Sequence, residues 1–154
     1  MTDDPAIEIE SGYWLTASTA CWRCGHPAPF ALLVVTSGTE WLDGEPSPID
    51  EPYLVSEIGD LPGEPTSQVR ELVPSICRPD EDDPSDFLRN RCSYCESFLN
   101  DWHLTKIGGA LVGEDGMPEP GTLATKLAGT PFRLSYCAAG LDTYGILESA
   151  RKLD

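Results

Sequence analysis

Two Cys-x-x-Cys pairs, Cys21-Trp22-Arg23-Cys24 and Cys92-Ser93-Tyr94-Cys95, constrain this chain more than any other feature. Such a turn places two sulfurs on one side of a tetrahedron, and a second pair closes it, as structural zinc requires. Cys21, Cys24, Cys92 and Cys95 are therefore the expected ligands of one structural Zn2+. Gly25 follows Cys24 and suits the positive φ of a tight turn, and Pro27 and Pro29 stiffen the exit. Glu96 stands where the second pair would carry that glycine, so this half is less like a zinc knuckle. Between Cys24 and Cys92 lie 67 residues, far more than a compact zinc ribbon uses. The fold must bring one half-site back to the other across a long excursion.

The competing readings are disulfides, redox centres or unrelated thiols. An acidic N-terminus, Met1-Thr2-Asp3-Asp4-Pro5, has no apolar run and gives no sign of a secretory signal. The expected compartment is the cytoplasm, where paired cysteines are read as metal or redox sites. A redox pair belongs in a βαβ setting, and neither pair has one. Cys77 and Cys137 are left over and are expected to act as small buried apolar residues. His26 and His103 are the alternative ligands, with His26 too close behind Cys24 to join the same site easily.

Charge is the second constraint. The chain of 154 residues carries a formal charge of −16, and residues 40–86 alone hold 14 acids against two bases. The same segment has eight of the 14 prolines, so long regular elements are not expected there. Ten basic residues in the whole chain, with no larger cluster than Arg89-Asn90-Arg91 or Arg151-Lys152, argue against nucleic acid. Arg23, Arg89 and Arg91 sit in or beside the knuckles and are placed to offset a tetrathiolate site. No stretch approaches the roughly 18 apolar residues of a membrane span. The acid either keeps the chain in solution or steers a basic protein partner.

Local patterns give a coarse outline. Residues 13–19 and 30–36 read as strands around the first knuckle, a hairpin with the metal at its tip. Thr36-Ser37-Gly38-Thr39 then breaks the pattern. Tyr53–Ile58 is a short strand, Ser67–Val73 a short helix, and Asp80-Glu81-Asp82-Asp83 an acidic loop. Phe98, Trp102, Leu104 and Lys106 fit a helix or a strand. Phe132–Cys137 reads as a strand, and Asp142 as the cap of a final helix over Tyr144–Leu153. The expected fold is one α+β domain over residues 1–154, with a zinc-ribbon-like β core, an acidic proline-rich insertion at about 40–86 and a C-terminal helix.

The segments Ala20-Cys21-Trp22-Arg23-Cys24-Gly25-His26-Pro27, Asn90-Arg91-Cys92-Ser93-Tyr94-Cys95 and Asp101-Trp102-His103-Leu104 resemble a set of bacterial zinc-ribbon-like proteins. Those proteins carry a Cys-Trp-x-Cys start and a later Cys-x-x-Cys followed by Asp-aromatic-x-Leu. Glu96 departs from the pattern, where glycine is more usual. The resemblance covers two patches and implies a metal site and a bacterial origin, with no activity to carry over.

Nothing in the chain assembles a catalytic set. Four cysteines make a closed site, two histidines leave little material for a triad, and no phosphate-cradling glycine loop appears. The expected function is non-enzymatic protein binding. Its most concrete form is a small bacterial antagonist, such as an immunity protein covering a basic toxin cleft. Asp80, Glu81, Asp82, Asp83 and Asp86 would steer association, with Trp41 or Tyr53 as anchor. The alternatives are an accessory zinc-ribbon module of a larger assembly, such as a transcription-associated one, and a thiol or metal-dependent enzyme.

Overall fold

A computed structural model describes residues 5–59, 61–76, 88–99 and 101–153. It is an α+β fold made mostly of sheet. The chain runs β1 (Ala6–Ala20), β2 (Pro27–Leu42), β3 (Glu45–Ile49), β4 (Tyr53–Gly59), α1 (Gly63–Leu72), β5 (Asn90–Arg91), β6 (Phe98–Leu99), α2 (Asp101–Thr105), β7 (Leu123–Lys126), β8 (Phe132–Leu141), α3 (Ile146–Ser149) and β9 (Arg151–Leu153).

The expected hairpin is present and is longer than its β-prone stretches. β1 and β2 pair antiparallel from Ala6↔Trp41 to Ala20↔Pro27, with the first knuckle at the tip. The pattern break expected at 36–39 is a register irregularity around Ser11 and Ser37, and β2 continues beyond it. Glycine makes the crossing possible. A Cβ at Gly38 would stand 2.2 Å from the Glu8 carbonyl oxygen, and one at Gly12 would stand 2.5 Å from that of Val34. Backbones this close leave no room for a side chain.

The continuous apolar run of β2 has a direct physical reading. Alternate strand residues face opposite sides. Ala31, Leu33 and Val35 enter one apolar cluster, while Phe30, Leu32 and Val34 enter another. The hairpin is covered on both faces. On one side the sheet closes on itself, since β1 pairs with β2, β2 with β4, β4 with β8 and β8 with β1. Ile7, Trp14, Val55, Ile58, Leu134 and Tyr136 belong to the cluster on this side, as do Val69 of α1 and Val73 just beyond its end.

Residues 45–73 thus supply two sheet strands and a helix, despite their prolines. Pro65 sits in the first turn of α1, where its missing N–H costs little. Pro46 and Pro48 lie on β3, which is an edge of the sheet. Prolines and acids on an edge strand also block pairing with another chain. The strand expected at 53–58 and the helix expected at 67–73 are both found, the helix beginning four residues earlier. The ambiguous stretch after the second knuckle is β6 followed by α2.

The C-terminal helix is shorter than expected. Asp142 does cap it, accepting from Ile146 N at 2.9 Å and Leu147 N at 2.8 Å. α3 then ends, because Lys152 Nζ donates to the carbonyls of Leu147, Glu148 and Ala150. Arg151–Leu153 pairs parallel with β7 instead.

One buried carboxylate ties the closed sheet together. Glu40 Oε2 accepts from Tyr53 Oη at 2.7 Å and from Tyr136 Oη. Burial first, then the hydrogen bond and charge of Glu40, push the Tyr53 phenol up from 10.0 to about 12. Tyr136 is raised by the same causes. The folded protein keeps protons that the unfolded chain sheds near pH 10, so this stabilisation is full below pH 10 and lost as pH climbs toward 12. Absorbance titration should therefore show two of the five tyrosines ionising late, with unfolding free energy falling above pH 10. Five tyrosines titrating together near pH 10 in the folded protein would refute this reading.

Candidate metal centre and its surface

The four knuckle cysteines converge. Their sulfurs all lie within 4.8 Å of one another, with Cys21 to Cys95 at 3.6 Å and Cys24 to Cys92 at 3.7 Å. Tetrahedral zinc with bonds near 2.3 Å sets its sulfurs about 3.8 Å apart. None of the four forms a disulfide. Cys21 and Cys92 are buried, and Cys24 and Cys95 are half-buried. The residues fit a four-thiolate metal site; zinc and iron both suit such a donor set.

The two halves repeat one backbone design. Arg23 N donates to Cys21 Sγ at 3.4 Å, and Tyr94 N donates to Cys92 Sγ at 3.4 Å. Gly25 N reaches Cys21 O, and Glu96 N reaches Cys92 O. Cys21 N pairs with His26 O, and Cys92 N with Ser97 O. Gly25 has φ +77°, and Glu96 has φ +64°. The departure at Glu96 therefore changes the residue and not the turn. Glutamate is held in a conformation that glycine adopts without steric cost.

Without a cation, four adjacent thiols cannot all ionise. Cys95 is pulled down to about 6, chiefly by the Ser97 hydroxyl and amide. Cys92 is lowered by the amides of Cys95 and Tyr94. At Cys24 the His26 amide also lowers the thiol, but burial and the three neighbouring sulfurs outweigh it and push it up to about 12. Two sulfurs favour the charged form and one resists it, an imbalance that a divalent ion removes.

The second knuckle is registered to the first by a residue that sequence reading gave no role. Asn90 is buried, its Oδ1 accepting from Ala31 N and its Nδ2 donating to Ala31 O, both at 2.8 Å. The side chain acts as a short piece of strand against β2. Two residues later the chain reaches Cys92, and β5–β6 pairing holds the turn. An asparagine ahead of a knuckle carries no local signal of this role, because its partner is 59 residues away.

Aromatic side chains surround the cage. Trp22 and Tyr94 are 73% and 70% exposed. Trp22 is nevertheless fixed, its Nε1 donating to Phe98 O at 3.0 Å. Tyr94 stacks on His26 at 3.6 Å, which gives that histidine a surface role. The arginines expected to balance the sulfurs sit nearby: Arg23 Nη1 reaches Ser97 Oγ, and Arg89 and Arg91 lie 5.0 and 5.2 Å from the Phe98 ring centroid. From Trp22 and Phe98 a groove of about 1060 Å³ runs across β4 and β8 to Leu141 and Tyr144.

The expected partner-binding residues fare differently. Asp80, Glu81, Asp82, Asp83 and Asp86 lie outside the described residues, as do Cys77 and the side chain of Cys137. Tyr53 is half-buried with its hydroxyl committed to Glu40. Trp41 is half-buried, with Arg133 5.8 Å from its ring centroid. Its indole N–H is buried with no partner among the described residues. The structure does not bring these two residues to the metal cage. Comparison with protein-family models, curated proteins and solved structures finds no match to this chain.

Two outcomes follow from the cage geometry. Glu96→Gly should stabilise the metal-loaded protein by about 1 kcal/mol, and Gly25→Ala should destabilise it by about as much, read by denaturant melts. Asn90→Ala leaves the buried Ala31 amide and carbonyl unpaired and frees the second knuckle. Zinc affinity measured by chelator competition should fall about 10-fold or more. Unchanged affinity would show that Asn90 does not position the cage.

Proposed function

We propose that this chain is a non-enzymatic, zinc-stapled protein-binding module. One observation carries the reading. Four large apolar side chains that the fold leaves exposed, Trp22, Phe98, Leu141 and Tyr144, all border the same groove beside the cage. Exposed apolar residues scattered singly need no explanation, but gathered around a concave surface they mark a contact site. The four thiolates support a structural metal, because they fill a tetrahedron and leave no position for a substrate. The zinc-ribbon-like description rests on the paired knuckles, and the bacterial resemblance is in keeping with them. No helix among the described residues is long and apolar enough to cross a membrane.

A second observation favours the antagonist form of this reading. Glu8, Glu10, Asp43, Glu45, Asp50 and Glu51 are exposed around the end of the β1–β2 hairpin remote from the knuckles and its neighbour β3. An acidic end of this kind suits a basic protein such as a toxin. An accessory role in a larger assembly uses the same groove without the acidic contact.

Elemental analysis of the purified chain should find one zinc per molecule. Removing it with a strong chelator should lower the melting temperature by roughly 10 °C or more, because binding energy at such a site is folding energy. Capture of protein partners by the native chain, repeated with the metal-stripped chain, tests the module itself. A chain that holds no metal and melts unchanged in chelator would sink the proposal.

A further inference from the structure

The two knuckles touch one another through residues that are not ligands, and they do so twice in the same pattern. Arg23 and Tyr94 hold matching places, each just before the closing cysteine of its pair. His26 and Ser97 also match, each two residues beyond that cysteine. Arg23 Nη1 donates to Ser97 Oγ at 3.3 Å, crossing from the first knuckle to the second. Tyr94 crosses the other way and stacks on His26, with ring centroids 3.6 Å apart and planes inclined by 13°. Different residue types fill each place, so a hydrogen bond and a ring stack occupy one geometry. Trp22 Nε1, bonded to Phe98 O at 3.0 Å, adds a crossing in the same direction as Arg23.

Each crossing ends on the residue that holds the more accessible sulfur of the opposite knuckle. Cys21 and Cys92 are buried, whereas Cys24 and Cys95 are half-buried. The His26 amide hydrogen-bonds Cys24, and the Ser97 hydroxyl and amide hydrogen-bond Cys95. At their other ends, Arg23 N donates to Cys21 Sγ and Tyr94 N donates to Cys92 Sγ. Arg23 therefore links Cys21 to Cys95 by way of Ser97, and Tyr94 links Cys92 to Cys24 by way of His26. These are the two sulfur pairs that approach to 3.6 and 3.7 Å across the cage. A chelator or competing thiol reaches a closed tetrahedral site where a ligand is accessible, so release begins at Cys24 or Cys95. A contact that must break before either sulfur swings away raises the barrier to release.

We propose that Arg23 and Tyr94 are positioning residues for the metal, reciprocal clasps that hold the two half-buried ligands in place and keep the metal from exchanging. The inference rests on the structural-metal reading above and adds how the metal is retained. Both side chains are exposed, so neither is needed to fill a core. A clasp that forms once the knuckles are together slows release and leaves the rate of capture alone. The pattern suits a permanent staple and not a site that hands its metal on.

The test loads the chain with Co2+ in place of zinc and follows the thiolate-to-metal charge-transfer absorption after mixing with excess EDTA. Arg23→Ala and Tyr94→Ala should each speed release by about 5-fold or more, with the four-thiolate spectrum unchanged. Affinity from chelator competition should fall by the same factor, which leaves the capture rate at its native value. Tyr94→Phe keeps the ring stack and should release metal at the native rate. Arg23→Ala should add little once Ser97→Ala has removed its acceptor, because the two act as one unit. Native release in both alanine variants would overturn the proposal and make these crossings ordinary surface contacts. An altered spectrum, or affinity falling further than release speeds up, would also overturn it, because the residues would then build the cage and not latch it. So would fast release in Tyr94→Phe, or an undiminished effect of Arg23→Ala beside Ser97→Ala. A native chain that takes up neither cobalt nor zinc would sink the metal reading and this inference together, whereas metal held and released at unchanged rates sinks this inference alone.

Discussion

Everything in this molecule hangs on a β-hairpin that is buried on both faces. Most antiparallel ribbons have one wet side. Here the alternation of Ala31, Leu33 and Val35 against Phe30, Leu32 and Val34 feeds two separate cores. One core fills the closed sheet. The other underlies the metal cage, α3 and the groove. Losing the pairing would expose both, so the hairpin carries the cage as well as the sheet.

Bringing 67 intervening residues back to the hairpin tip requires a specific contact, because loop closure and ordering are entropically costly. Apolar packing brings the second knuckle near, with Cys92 and Leu99 in the second core. Asn90 sets its register by borrowing both hydrogen bonds of Ala31. Once there, the two knuckles present matching backbone turns, and a metal held by the four sulfurs would enforce the second turn on a glutamate. A strained residue beside a strong ligand set is tolerable because the surrounding structure over-determines it.

Charge follows the same axis. Exposed acids crowd the end of the hairpin away from the four cysteines, and Arg23, Arg89 and Arg91 lie near the cysteine end. The sulfurs themselves account for part of that, since four thiolates outweigh one divalent ion and favour nearby cations. Guanidinium groups stacked beside Phe98 do more than balance sulfur, however. Both lie over that ring, and Arg89 also lines the groove.

Several features were legible in the sequence because their signals are local. The pairing of the four cysteines, the hairpin between the first strands, the strand at Tyr53, the helix near Val69 and the Asp142 cap each follow from side-chain spacing or turn chemistry within a few residues. Other features depend on partners tens of residues away. Residues 40–86 read as an acidic, proline-rich insertion because proline and acid are loop signals, yet β4 lies inside the sheet between β2 and β8. The final helix looked longer because its pattern carried no mark of the parallel pairing with β7. The sequence alone determined the donor set and the two-faced apolar run, both being properties of neighbouring side chains. Only the tertiary structure decided where Asn90 docks, that Glu96 adopts the glycine turn, and that small residues on β8 leave a groove, because each of these is set by what packs across from it.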